Sequence, residues 1–255
     1  MACWTARGLA ADGGHCARFD ETMTTAPLSP TPRTTIRRAA QKAASDRQAL
    51  HDVLAEGLVA HVGVVTAAGH PVVIPSAYAF DPLGPDRDGT LYLHGSAAAV
   101  WLRAAQEAPV SVAVTLLDGL VLARSGFHHS MNHRSAVVIG VAREVTDPAE
   151  RRRALDLVID QVVPGRSAAL RPSSRKELAA TLVLAVPLHE ASVKVRAGDP
   201  VDEPEDHAPG VWAGVIPLRT IAGPVRDAAD SAGSAPEHVL ARQQHLDAGH
   251  EVGRP

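Results

Sequence analysis

The chain has little cysteine, little lysine and no long apolar run. Its two cysteines, Cys3 and Cys16, both precede residue 20. A disulfide framework for a core is thereby excluded, and the cytoplasm is the expected compartment. No apolar stretch approaches the ~20 residues needed to span a bilayer, so no membrane partner is expected. The N-terminal MACWTARGLAADGGHC lacks the apolar centre of a signal peptide. Formal net charge is only −3, too weak a field to favour nucleic acid or an anionic membrane. Lysine occurs only at Lys42, Lys176 and Lys194. Arginine carries the other positive charge, a bias that fits a GC-rich bacterial genome as well as it fits any function. No Gly-rich phosphate loop follows a strand-like segment, which argues against a dinucleotide fold.

The chain does have enough residues for one large or two small domains, 255 with 45% apolar. Met23 opens MTTAPLSPTPRTT, which has the look of an alternative start. Residues 1–22 are therefore expected to be an extension or a leader. Residues 1–33 are expected to be disordered, residues 34–224 to form the globular domain, and residues 225–255 to be a loosely ordered Ala/Asp/Ser/Gly-rich tail.

Within the domain, Ser45-Asp46-Arg47-Gln48 resembles a capping box, Leu50, Val53, Leu54 and Leu58 then fall at helical spacing, and Gly57 marks the stop. Val59 to Thr66 and Pro71 to Phe80 read as two strands joined at Ala68-Gly69-His70. Pro75 predicts a bulge or an edge position in the second. Thr90 to His94 reads as a strand, followed by a helix opening after Gly95-Ser96. Val110, Val112, Val114 and Leu116 alternate with small or polar residues, as in a half-buried strand. Asp147-Pro148 caps a helix carrying Leu155, Val158, Ile159 and Val162 on one stripe. Ala180 to Leu188 reads as a long strand that Ser192 to Arg196 extends or bends, and Val211 to Leu218 as the last. Seven or eight strands at hairpin spacing, with few helices, predict an antiparallel sheet closing into a barrel.

The stretch from Asp118 to Glu144, DGLVLARSGFHHSMNHRSAVVIGVARE, holds the densest set of polar donors. Asp118-Gly119 has turn chemistry. Arg124, Ser125, three histidines, Asn132, Arg134 and Ser135 then lie between two apolar runs. Unpaired polar atoms are costly to bury, so such a group fits a polyanionic or heteroaromatic ligand. The HHxxxH spacing of His128, His129 and His133 invites a metal, but no cysteine or acidic third ligand accompanies it, and no metal site is expected. Lys194 and Arg196 alternate and so share one strand face.

The series HVGVV, GHPVVIPSAYAF, LYLHGS, VSVAVTLLDGLVLARSGFHHSMNHRS, ELAATLVLAVPLHEASVKVRAGDP and VWAGVIPL resembles the pyridoxamine 5′-phosphate oxidase-like family. It is most similar to the bacterial flavin-nucleotide-binding branch related to nitroimidazole-resistance reductases. The resemblance spans about residues 34–224. It implies an FMN-binding split β-barrel, mainly β with flanking helices, that forms a homodimer with FMN held between the subunits. It implies that Arg124 and Ser125 grip the phosphate or ribityl chain and that Val73, Ile74, Pro75 and Ser76 line the flavin ring. His94, the candidate catalytic residue, would stand near the flavin, and Ser96 at a helix start would meet the phosphate. Asn132, Arg134 and Ser135 are implied ligand or dimer groups, and Lys194, Arg196 and Trp212 a basic and aromatic wall. The expected activity is that of a flavin-dependent oxidoreductase, passing electrons or hydride from a reduced nicotinamide to a small-molecule substrate. The alternatives are a flavin-binding sensor without turnover and a haem-binding or haem-degrading protein. His94 or the His128–His133 cluster would supply the iron ligand in the last case, and a deazaflavin could replace FMN.

Overall fold

The computed structural model describes Leu28 and residues 31–37, 40–207 and 210–248. Residues 1–22, expected as an extension or a leader, and Met23 lie outside the described residues. Leu28 is buried, and its amide donates to the carbonyl of Ser45 at 3.0 Å.

In chain order the elements are β1 (Ala43–Ala44), α1 (Arg47–Glu56), β2 (Ala60–Val65), β3 (Pro71–Ser76), β4 (Tyr78–Asp81), β5 (Thr90–Ser96) and α2 (Val100–Ala105). There follow β6 (Ala108–Leu122), β7 (Ser130–Glu144), α3 (Pro148–Val162), α4 (Arg175–Ala180), β8 (Thr181–Pro187), β9 (Ala191–Arg196), β10 (Gly214–Pro217) and α5 (Glu237–Asp247). All pairings are antiparallel, in one ten-stranded sheet with the main order β3-β2-β6-β7-β8-β5-β4. Only Ala77 separates β3 from β4, which stand at opposite ends of that order. The sheet therefore curls until its two ends meet at one residue, giving an antiparallel split barrel. Pro71 to Phe80, expected as one strand, is two for this reason. Pro75 lies in terminal strand β3, where its missing N–H costs no ladder bond.

The long hairpin β6–β7 is the spine. Along β6, Ser111 to Ala113 pair with β2, while Gly119 to Leu122 pair with β10. Along β7, His133 to Val138 pair with β9, and Arg143 and Glu144 with β8. Asp118-Gly119, expected to turn the chain, instead forms an irregularity inside β6, where the pairing shifts between Leu117 and Gly119. Close approach fixes a glycine there. A Cβ on Gly119 would lie 3.1 Å from Val215 Cγ1 and 3.2 Å from the carbonyl oxygen of Ile216. The real turn is the segment between Leu122 and Ser130. Ser192 to Arg196 is likewise a separate strand, β9, laid on β7 rather than an extension of β8.

Alternation sets the core. Val62 and Val64, Val112 and Val114, Ala136 and Val138, and Ala191 and Val193 face inward with Leu50, Val53 and Leu54 of α1. On β5, Leu91 and Leu93 join this core, while Tyr92 packs with Val145, Ala154, Val183 and Ala185 beneath α3. Asp46 caps α1 and Asp147 caps α3, each side chain accepting an amide at 2.7 Å. In the segment expected to be a loose tail, α5 forms, and Arg242 Nε donates to the carbonyl of Val162 at 3.0 Å. No helix among the described residues is long and apolar enough to cross a membrane.

Candidate functional site

Strand register decides which nominated residues share a surface. Pro75, His61, Ala113, Val137 and Ser192 form one row across β3, β2, β6, β7 and β9. Thr115, Ser135, Lys194 and Ala43 form the next, and Leu117, His133 and Arg196 the third. Each strand advances two residues between rows, so these positions lie on one face, opposite the core. Val73 stands on it too, opposite Gly63. The rows are rich in Gly, Ala, Ser and Thr, leaving a shallow shelf that ends in cations.

Lys42, Lys194, Arg196 and His133 make that cationic end. Burial lowers the pKa of Lys42, and the charges of Arg196 and Lys194 lower it further. His133 is lowered by burial, then by Lys194 and Lys42. Its Nδ1 is buried with no partner. Among the described residues no carboxylate pairs with Lys42, Lys194 or Arg196. Arg196 donates to Asn132 Oδ1, to the carbonyl of Gly198 at 3.2 Å and to that of Asp199 at 3.3 Å. These acceptors are neutral, so its charge stays uncompensated. Lys42 reaches the group because the two-residue strand β1 lies on β9. A strand that short has no periodicity to read.

Other nominated residues are placed differently. Ile74 and Ser76 face the opposite side of β3, opposite Val62 and Ala60, and Ser76 Oγ donates to the carbonyl of Ala77 at 2.9 Å. Arg124 is occupied: its amide and its guanidinium each hold an oxygen of Asp202 at 2.8 Å, and that carboxylate is inaccessible to solvent. Burial alone would raise the pKa of Asp202, but the Arg124 amide and guanidinium outweigh it and the carboxyl is lowered. Arg124 thus clasps the acidic 199–206 segment to the hairpin. Arg134 is also taken, by Asp118 and Glu56. Asn132 is buried, with Nδ2 donating to the carbonyl of Gly198 at 3.1 Å, and Ser135 Oγ lies 3.5 Å from the carbonyl oxygen of Lys194.

Ser96 ends β5 and accepts the amide of Ala98 at 3.2 Å, but α2 begins only at Val100, so Ser96 does not stand at a helix start. His94 lies opposite Val183, and β8 and β7 separate it from β9 in the sheet. Burial lowers its pKa, and its Nδ1 is buried without a partner. Trp212 is largely exposed before β10, with its ring against Gly214. Ser125 Oγ bonds His128 Nδ1 at 2.8 Å. The acidic partners that the local sequence around His128 lacks come from the 199–206 segment. His128, Asp202 and Asp206 offer ligand atoms within 4.8 Å of one another, though Asp202 is already held by Arg124.

The family profile described as pyridoxamine 5′-phosphate oxidase matches residues 46–195. The chain belongs to the pyridoxamine 5′-phosphate oxidase-like family of flavin-binding split barrels. Two solved structures fit closely. The flavocytochrome Anf3 from Azotobacter vinelandii is 35% identical with a TM-score of 0.76, over 84% of this chain and 98% of that one. The FAD and haem binding protein from Mycobacterium smegmatis is 42% identical with a TM-score of 0.71, over 79% and 97%. No curated protein matches the chain. Family membership gives the shelf and its cations a ligand class to be tested against. The donor set fits a flavin nucleotide: three uncompensated cations beside an imidazole with an orphaned nitrogen, at the end of a shelf of small side chains.

Proposed function

We propose that the chain is a redox protein that binds a flavin nucleotide on the outward sheet face and a haem beside it. The flavin phosphate sits among Lys194, Lys42, Arg196 and His133. The observation that carries this reading is the grouping of Lys42, Lys194 and Arg196, with which no carboxylate pairs among the described residues. Like charges repel, and such a group is stabilised by a bound anion. The haem follows from the two relatives, one a flavocytochrome and the other binding FAD and haem. The chemistry these groups supply when bound is hydride acceptance from a reduced nicotinamide and electron delivery to a small-molecule acceptor. The chain itself binds and orients. Terminal strand β3 pairs only with β2, so its free edge offers backbone groups to the polar edge of a flavin ring at Val73 to Pro75.

Lys194→Ala tests the phosphate site. FMN affinity should fall by about 1.5–3 kcal/mol, roughly ten- to a hundredfold, with riboflavin affinity unchanged. Isothermal titration of apo-protein with FMN, FAD, riboflavin and a deazaflavin nucleotide measures this and ranks the flavins. Equal weakening of riboflavin and FMN would show that Lys194 does not meet the phosphate. Steady-state oxidation of a reduced nicotinamide with a panel of acceptors separates an oxidoreductase from a flavin-binding sensor.

A second copy of the chain completes the site in this reading. Ile216, Leu120 and Met131 form an exposed apolar row across β10, β6 and β7, and a homodimer would cover it. Sedimentation equilibrium of the flavin-loaded protein should give a dimer, and a monomer with full flavin occupancy would overturn the proposal.

A further inference from the structure

Lys42 reaches the cationic end of the shelf from outside the frame of long strands. It precedes residues 46–195, the part of the chain that the family profile matches. Three anchors ahead of α1 hold it there. Leu28 is buried in the core, and its amide donates to the carbonyl of Ser45 at 3.0 Å. Thr31 closes a turn, its carbonyl accepting the amides of Thr34 and Thr35 at 3.0 and 2.9 Å. That turn carries Arg33, which pairs with Glu190 in the connection between β8 and β9. Lys42 then ends a single turn of tight helix, Ala40–Lys42, and runs directly into β1. There Ala43 lies opposite Lys194 and Ala44 opposite Val193.

The placement is electrostatically unfavourable without an anion. The charges of Arg196 and Lys194 act on Lys42, and those of Lys194, Lys42 and Arg196 on His133. Like charges repel, and an exposed lysine side chain has rotamer freedom to lose when it is fixed. Yet the backbone on both sides of Lys42 is tied down, by β9 on one side and by Leu28 and Arg33 on the other. A cation carried by its own anchored segment to a group of cations is arranged to receive a polyanion.

We propose that Leu28, Arg33 and β1 strap Lys42 against the flavin phosphate, making Lys42 a residue that selects flavin nucleotides over riboflavin; this rests on the phosphate reading above. Lys42 is the ligand, and Leu28 and Arg33 are positioning residues that act through it. By linkage, a phosphate that holds Lys42 also holds the strap closed.

The test is titration of the full-length apo-protein with FMN and with riboflavin, followed by limited digestion with trypsin. Lys42→Ala should weaken FMN binding roughly tenfold, the lower end for a charge-assisted hydrogen bond, and leave riboflavin binding unchanged. Lys42→Arg keeps the charge and should retain most of the FMN affinity. Leu28→Ala and Arg33→Ala should each weaken FMN binding by no more than Lys42→Ala does. Neither should weaken it further in the Lys42→Ala background, since both act through Lys42. A purely structural role for the strap would persist in that background and would weaken riboflavin equally, which would overturn the proposal. Trypsin cleavage after Arg33, Arg37 and Lys42, read by mass spectrometry, should be slowed by saturating FMN more than by saturating riboflavin. Equal protection by the two ligands would also overturn it. If Lys194→Ala weakens FMN binding while Lys42→Ala stays within about twofold of wild type, the strap assignment fails and the phosphate site stands. If neither substitution affects FMN binding, the phosphate reading fails and this assignment falls with it.

Discussion

Gly57→Ala should destabilise the fold by about 2–3 kcal/mol, the upper range for forcing one methyl into a packed site. For a domain of this size that corresponds to a fall in melting temperature of roughly 5–10 °C. The cause is space, not backbone freedom. Gly57 caps α1 with φ −68° and ψ 141°, values open to any residue. A Cβ there would overlap Val114 Cγ1 and lie 2.7 Å from the Tyr78 hydroxyl. Neither neighbour can yield cheaply. Val114 is a core residue of β6, and Tyr78 Oη bonds the carbonyls of Leu54 at 2.7 Å and Gly57 at 3.0 Å. Gln161 Nε2 bonds the same two carbonyls from α3, at 2.8 and 3.0 Å, so the end of α1 is held from two sides. Thermal melts of Gly57→Ala, Val114→Ala and the double variant measure the coupling. The double should be less destabilised than the sum of the singles, because removing the Val114 methyls makes room. Simple additivity would mean that the overlap is not the cause. Gly223→Ala, with nothing within 4 Å of the added carbon, should stay within about 0.5 kcal/mol of wild type.

The same residue shows how far the sequence could be read. Gly57 marks the helix end correctly, but the reason is a side-chain collision with residues 21 and 57 positions away in sequence (78 − 57 and 114 − 57). Local signals served where local physics decides. The Asp147 cap and the alternation in β6 stand in the fold, while α1 is capped by Asp46 and not by the capping box that Ser45 and Gln48 suggest. Asp118-Gly119 failed as a turn because pairing on both sides, by β7 and β10, outweighs the local preference. In the site, alternation alone put Lys194 and Arg196 on one face. Which other strands continue that face depends on register between segments far apart in sequence. Lys42 was not nominated on that account, and Arg124 and Arg134 read as free donors although Arg124 meets Asp202 and Arg134 meets Glu56 across 78 residues, and Arg134 meets Asp118 across 16.

Arg134→Ala should cost about 2–3 kcal/mol of stability while sparing the affinity for FMN. Its guanidinium is four-fifths covered and donates to both oxygens of Asp118, at 3.1 and 2.7 Å, and to both oxygens of Glu56, one at 2.9 Å. The bonds to Asp118 and then to Glu56 raise its pKa above the ordinary arginine value, outweighing burial. One side chain thus ties the end of α1, the irregular point of β6 and the start of β7. Removing it leaves two carboxylates facing each other with no cation, which costs more than an exposed ion pair and somewhat less than a fully buried one. Chemical denaturation measures the loss. Glu56→Gln in the Arg134→Ala background should recover part of it, since it removes one of the two facing charges, whereas Glu56→Gln alone should destabilise. FMN titration of the folded variant then separates structure from binding. A fall in FMN affinity matching that of Lys194→Ala, with stability intact, would return Arg134 to the ligand site and remove it from the frame.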